Sequence, residues 1–165
     1  MAGVRVTIEL KDIDAYIKKN NEGHERVTTP DEEDVIQYWG GLLLTYIKNQ
    51  WPIDTGTSRD RWTIELDSRP GNTVFFIENP MYYASFVHRA GAPPEPPLWR
   101  ELLPQAWALF KLPLNQAAYR AIDKTVEEIR ARQAAGSGKS FIDLLVDQIS
   151  NPKGTDYPSL LMGGG

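Results

Sequence analysis

The sequence predicts an α+β chain, and three patterns carry that reading. Near the N-terminus Val4, Val6, Ile8 and Leu10 alternate with Arg5, Thr7, Glu9 and Lys11, the period of two that marks a half-buried strand. A long amphipathic helix begins at Thr29 behind a full set of start signals. Around Arg69-Pro70-Gly71-Asn72 two apolar, alternating segments flank a strong turn, as in a β-hairpin.

Taken in order, Asp12 is placed to cap a short helix with Ile13, Tyr16 and Ile17 on one face. The polar run that follows makes residues 20–28 an exposed loop. Thr29 then serves as N-cap, Pro30 as the first helical residue, and Asp31, Glu32 and Glu33 put negative charge at the positive end of the helix dipole. Glu32 sits three residues after Thr29, the spacing of a capping box. Val35, Trp39, Leu42 and Tyr46, with Ile36, Leu43 and Ile47, form a wide apolar stripe. Gly40-Gly41 interrupts it at a cost of about 1 kcal/mol per glycine relative to alanine, which points to a close crossing by another element. Pro52 ends the helix just after Trp51.

Alternation resumes from Arg59 to Asp67 with Trp62, Ile64 and Leu66 on one face, and residues 73–77 return as the second hairpin strand. In the segment 81–89, Tyr82 pairs with Phe86 and Tyr83 with Val87 at helical spacing, favouring a short helix over a third strand. Residues 90–97, with Pro93, Pro94, Pro96 and Pro97, form a stiff extended spacer. Residues 98–111 are helical, Pro104 kinks or restarts that helix, and a second helix runs from Leu114 to about Ala135. The pattern divides the chain into one α+β domain over residues 1–135 and a tail over 136–165. That tail comprises a joint at Gly136-Ser137-Gly138, a short helix with Phe141, Leu144, Leu145 and Ile149, and an extended arm.

Bulk properties exclude several classes. A chain of 165 residues with 41% hydrophobic and 24% charged residues has the make-up of a globular domain. The absence of cysteine removes disulfides, thiolate metal sites and cysteine nucleophiles. His24 and His88 lack carboxylate neighbours at ligand spacing, so no metal and no cofactor is expected. A net charge of −4 argues against binding DNA through its phosphates. No apolar run is long enough to span a bilayer, and a soluble protein made in a cytoplasm is expected.

Two short motifs invite a catalytic reading. Asp54-Thr55-Gly56 is the triplet of aspartic proteases, which need two such loops so that one proton is shared between two carboxylates. In those enzymes it follows a buried apolar strand, whereas here it follows Gln50-Trp51-Pro52 at a helix end. The simpler reading is an Asx-type turn at Asp54, with Gly56 supplying positive φ before the strand. Gly136-Ser137-Gly138-Lys139-Ser140 looks like the tail of a phosphate-binding loop, but Gln133 stands where that motif needs glycine, and a helix rather than a strand precedes it. No nucleophile-elbow sequence occurs. The expectation is that the protein is not an enzyme.

The order of these elements, with two short motifs, resembles a family of bacteriophage tail-completion, or head–tail joining, minor tail proteins. Members open with a strand and a short helix, as residues 4–19 do here. Their long helix closes with Pro-Val-Asp-Thr-Gly, a small residue, Leu and often Arg; this chain has Pro52-Ile53-Asp54-Thr55-Gly56-Thr57-Ser58-Arg59. After the hairpin they carry a Tyr-Ala-Pro-Tyr-Val-Glu type segment, matched by Tyr83-Ala84-Ser85-Phe86-Val87-His88. Ser58 replaces the usual Leu and His88 the acidic residue, and the likeness covers residues 4–130. It implies a small antiparallel sheet packed against a long central helix and C-terminal helices. It further implies a ring component, a homohexamer, at the head-proximal end of the tail or in the neck of the virion, assembled in the bacterial cytoplasm. Its partners would be copies of itself, the tail tube protein and a neck or head-side connector protein, with DNA passing through unbound and no membrane involved. Asp54, Thr55, Gly56 and Arg59 would shape the turn. Tyr82, Tyr83, Phe86 and Val87, with the four prolines Pro93, Pro94, Pro96 and Pro97, would lie at a subunit or partner contact. A non-phage interaction module of the same architecture, and more remotely a dimeric protease using Asp54-Thr55-Gly56, are the competing readings.

Overall fold

A computed structural model describes residues 3–52, 56–87 and 96–150. The chain runs through β1 (Val4–Glu9), α1 (Lys11–Lys19), α2 (Pro30–Gln50), α3 (Gly56–Asp60), β2 (Thr63–Arg69), β3 (Asn72–Asn79), a 3-10 helix at Tyr82–Phe86, α4 (Leu98–Ala134) and α5 (Phe141–Ser150). The strands form one antiparallel sheet in the order β1-β3-β2. Pro70-Gly71 joins β2 to β3 with Gly71 at φ +72, a conformation glycine reaches without a Cβ clash. The hairpin therefore forms where the sequence places it. Its registers align Val6 with Ile77 and Ile64, and Ile8 with Phe75 and Leu66, so two rows of large apolar side chains share one face. Helices α2 and α4 lie over that face, and the central-strand residues Phe75 and Ile77 are fully buried. This is the α+β architecture the sequence predicts.

The capping box at α2 is complete. The Thr29 hydroxyl accepts from the Glu32 N–H, and the Glu32 carboxylate accepts from the Thr29 N–H at 2.9 Å. Residues 20–28 correct the expectation of an exposed loop, because Asn21, Arg26 and Thr28 are buried. The cap itself explains this. Glu32 has no solvent exposure, and a buried carboxylate requires a paired cation. Arg26 folds back to supply it with two hydrogen bonds of 2.6 and 2.9 Å.

The face α2 buries is centred on Ile36, Gly40, Leu43 and Ile47; Val35, Trp39 and Tyr46 flank it, and Leu42 turns outward. Gly40 is where the sheet comes close. A methyl group there would sit 2.9 Å from Cε1 of Phe75, whereas one on Gly41 would meet nothing within 4 Å. Gly40→Ala is expected to destabilise by about 1–3 kcal/mol through overpacking. Gly41→Ala should stabilise by up to about 1 kcal/mol through helix propensity. Urea unfolding of the two variants checks both signs.

Three boundaries differ from expectation. Helix α1 starts at Lys11 with Leu10 as its cap, so Asp12 lies inside the first turn and its carboxylate accepts from Asn115 at 3.1 Å. Asp14, also in the first turn, ties α1 to β3 by accepting from the Thr73 N–H and hydroxyl. Strand β2 starts at Thr63, and the residues before it form α3. The two predicted C-terminal helices are one helix of 37 residues with Pro104 and Pro113 inside it. An interior proline costs about 3 kcal/mol or more, but burying each large apolar side chain returns about 1.5–3 kcal/mol. Leu102, Leu103 and Ala106 pack with Leu43 and Ile47 of α2, while Leu114, Ala118 and Ile122 pack with Ile13, Ile17 and Ile36. Each half is held by its own cluster, with α2 contributing to both, and that burial outweighs the two missing donors.

The chain breaks after α4 with Gly136 and Gly138 at positive φ, and α5 returns to cover Val126 and Ile129. The expected arm over 151–165 lies outside the described residues. Among the described residues no helix is long and apolar enough to cross a membrane.

Candidate functional site

The corner between α2 and the hairpin is built around Ser58. Trp51 ends α2 with extended backbone and has its ring against Trp62, edge to face, at 5.0 Å between centroids. Its indole N–H donates to the Ser58 hydroxyl at 3.1 Å. Asn79, the last residue of β3, donates its side-chain amide to the Ser58 carbonyl at 2.6 Å, and its side-chain oxygen accepts from the Met81 N–H at 3.1 Å. Arg59 donates from Nε to the Lys48 carbonyl at 2.9 Å, adding a second donor to an acceptor that already takes the Trp51 N–H at the end of α2. Trp51, Ser58, Trp62 and Asn79 are all buried. The result is a locked joint between helix, strand and the segment beyond β3.

Asp54 and Thr55 lie outside the described residues, so the Asx turn is not placed. Gly56 begins the helical turn α3, so a short helix stands between it and the strand. Arg59 reaches back to the end of α2, where it also bonds the Asn49 side chain. The sequence missed Ser58, which stands where the resembling family has Leu. Its signal was chemical: a buried tryptophan N–H needs an acceptor, and Trp51 has one seven residues on. Ser58→Leu is expected to destabilise by about 1–3 kcal/mol by leaving that N–H unpaired and adding bulk at a position with no solvent exposure. Thermal unfolding beside Ser58→Ala separates the lost acceptor from the added bulk.

The aromatic segment divides. Ala84 is buried, and Tyr83 and Val87 are half-buried, whereas Tyr82 and Phe86 are 55% and 56% exposed. A 3-10 helix has three residues per turn, so the predicted i,i+4 pairing does not stack as on an α-helix; Tyr82 instead meets Tyr83 edge to face. His88, Pro93 and Pro94 lie outside the described residues; Pro96 is exposed and Pro97 caps α4. Further large apolar side chains face outward: Tyr38 on α2, and Leu109 and Leu112 on α4. They are scattered along two helices and fall off the buried stripes, the sequence signal that could have found them.

A groove of about 970 Å³ runs between β1 and α4. Trp99, Leu103 and Trp107 form its floor, and it is walled by every residue from Val6 to Asp12. Side chains alternate along a strand, so an uninterrupted run means that the open margin of β1 forms the wall. Among the described residues no group of histidines and carboxylates is arranged to hold a metal ion. The Asp14 carboxyl is held above its ordinary range, chiefly by burial, with the Thr73 hydrogen bonds acting in the opposite sense. The Tyr16 hydroxyl is raised by its hydrogen bond to Asp123. Both groups have structural partners that account for them. Comparison with protein-family models, with curated proteins and with solved structures finds no match.

Proposed function

We propose that the chain is a structural component of a tailed bacteriophage virion, forming a ring at the head-proximal end of the tail or neck that completes the tail and joins it to the head. The observation that carries this reading is a pinned corner beside a sheet with open edges. The α2–hairpin corner is pinned by buried hydrogen bonds around Ser58, while both outer strands of the sheet are unpaired among the described residues. An unpaired strand edge is a template for another chain, and soluble monomers normally shield it. The order of strand, short helix, long helix, hairpin, aromatic segment and long helix, shared with the resembling family, supports the same reading. Exposed Tyr82 and Phe86 beside the corner are suited to a contact with the tail tube or a neck protein. The net charge of −4 per copy keeps a ring from trapping the DNA that passes through it.

Electron microscopy with light scattering tests the proposal. Closed rings, formed alone or on addition of tail tubes, are expected. A monomer at every concentration, indifferent to tubes, would sink it, and so would tight binding of duplex DNA at physiological salt. Pepstatin-sensitive peptide cleavage lost in Asp54→Asn would replace it with a protease.

A further inference from the structure

We infer that β2 of one subunit pairs in parallel with β1 of the next, displaced by two residues, so that Arg5 lies opposite Glu65 and Glu9 opposite Arg69. The inference rests on the reading that the chain assembles with itself, and it supplies the seam of that assembly.

Hydrogen-bond parity fixes which groups are free. The Leu10 N–H donates to the Thr73 carbonyl at 2.9 Å. Along an antiparallel strand the backbone groups of successive residues address opposite sides. Val4, Val6, Ile8 and Leu10 therefore bond to β3, and those of Arg5, Thr7 and Glu9 face outward. By the same alternation Val74 and Phe76 serve β2, which engages Glu65 and Asp67 and leaves Ile64 and Leu66 facing outward on the far side of the sheet. Both outer strands run antiparallel to β3, so they are parallel to each other. Subunits repeating head to tail bring β2 of one beside β1 of the next in that sense. Such a heterologous contact closes into a ring when the rotation allows.

In a parallel pair an outward-facing residue bonds to the two neighbours of the residue opposite it. Thr7 can therefore lie opposite Thr63, Glu65 or Asp67, with every outer-face side chain kept on the outer face. Charge separates the three. Thr7 opposite Thr63 sets Glu9 against Glu65; Thr7 opposite Glu65 sets Glu9 against Asp67. Only Thr7 opposite Asp67 makes both flanking pairs opposite in sign, Arg5 with Glu65 and Glu9 with Arg69. These side chains are free to exchange partners, since their ion pairs within the subunit, Arg5–Glu78, Glu9–Lys11 and Asp67–Arg69, are exposed at 3.5, 3.4 and 3.2 Å. On the inner face the same displacement sets Val6 beside Leu66. Both are only half-buried in the single chain, in contrast to Phe75 and Ile77 between them, so the seam would complete a core that each subunit leaves open at its margins.

The native sequence has no cysteine, so engineered pairs report without background. In the assembled protein, oxidation of the double variant Arg5→Cys/Glu65→Cys is expected to give a covalent ladder ending at the ring size. The pair Glu9→Cys/Asp67→Cys, which tests the undisplaced register, should give none. Arg5→Glu should weaken assembly about tenfold or more, and adding Glu65→Arg should restore it, with circular dichroism confirming the fold in each case. Rings that form with neither cross-link, that cross-link through Glu9 and Asp67, or that cross-link only to added tube protein would overturn this seam while leaving the ring intact. A wild-type protein that stays monomeric with and without tubes would remove both.

Discussion

Glu32→Ala is expected to lower the unfolding free energy by about 3–5 kcal/mol, a large fraction of the roughly 5–15 kcal/mol that holds a domain together. The side chain performs two tasks from a fully buried position: it closes the cap on Thr29 and neutralises Arg26. Truncation opens the cap and strands a guanidinium that is only 8% exposed. In a chain of this size each kcal/mol shifts Tm by about 2–4 °C, so calorimetry reads the loss directly. The diagnostic companion is Arg26→Met/Glu32→Gln, which leaves no unpaired charge and keeps a cap acceptor. It should be milder than the single truncation. Equal losses in the two variants would mean that the ion pair contributes nothing beyond the cap.

Trp51→Ala should be of similar size, about 3–5 kcal/mol, because it empties the largest volume in the corner and removes the donor to Ser58. Trp51→Phe retains most of the packing against Trp62 and loses the hydrogen bond, so it should cost less. Denaturant unfolding ranks the pair. On the ring proposal the functional consequence is separable: if the corner sets the angle between α2 and the hairpin, Trp51→Phe should remain folded yet form rings less readily. A Trp51→Ala loss below about 1 kcal/mol would show that the corner does not hold the fold together.

Local signals in the sequence translated directly into structure. Thr29, Pro30 and Glu32 start α2 through bonds within four residues, and Pro70-Gly71 turns the hairpin with its own backbone. Errors arose where distant partners decide. Pro104 and Pro113 look like helix ends until α2 and α1 are seen to bury both flanks of α4. Arg26 sits in a polar run that reads as solvent-exposed, and only the buried carboxylate of Glu32 draws it inward. The corner was legible as a bend, but Ser58 as its hub was not, since its importance comes from Trp51 and Asn79 converging on it. The open strand margins could not be read at all, because which strand is central depends on pairing order rather than on composition.

The apolar interior falls into three clusters, and the third joins only Val126 and Ile129 of α4 to α5. That end has neither the sheet nor α2 in its packing, so its opening costs only its own small burial. The far end of the molecule can therefore breathe while the β-side stays shut. Amide hydrogens there should exchange through a sub-global event well below the free energy of complete unfolding, giving the chain one compliant end and one stiff end.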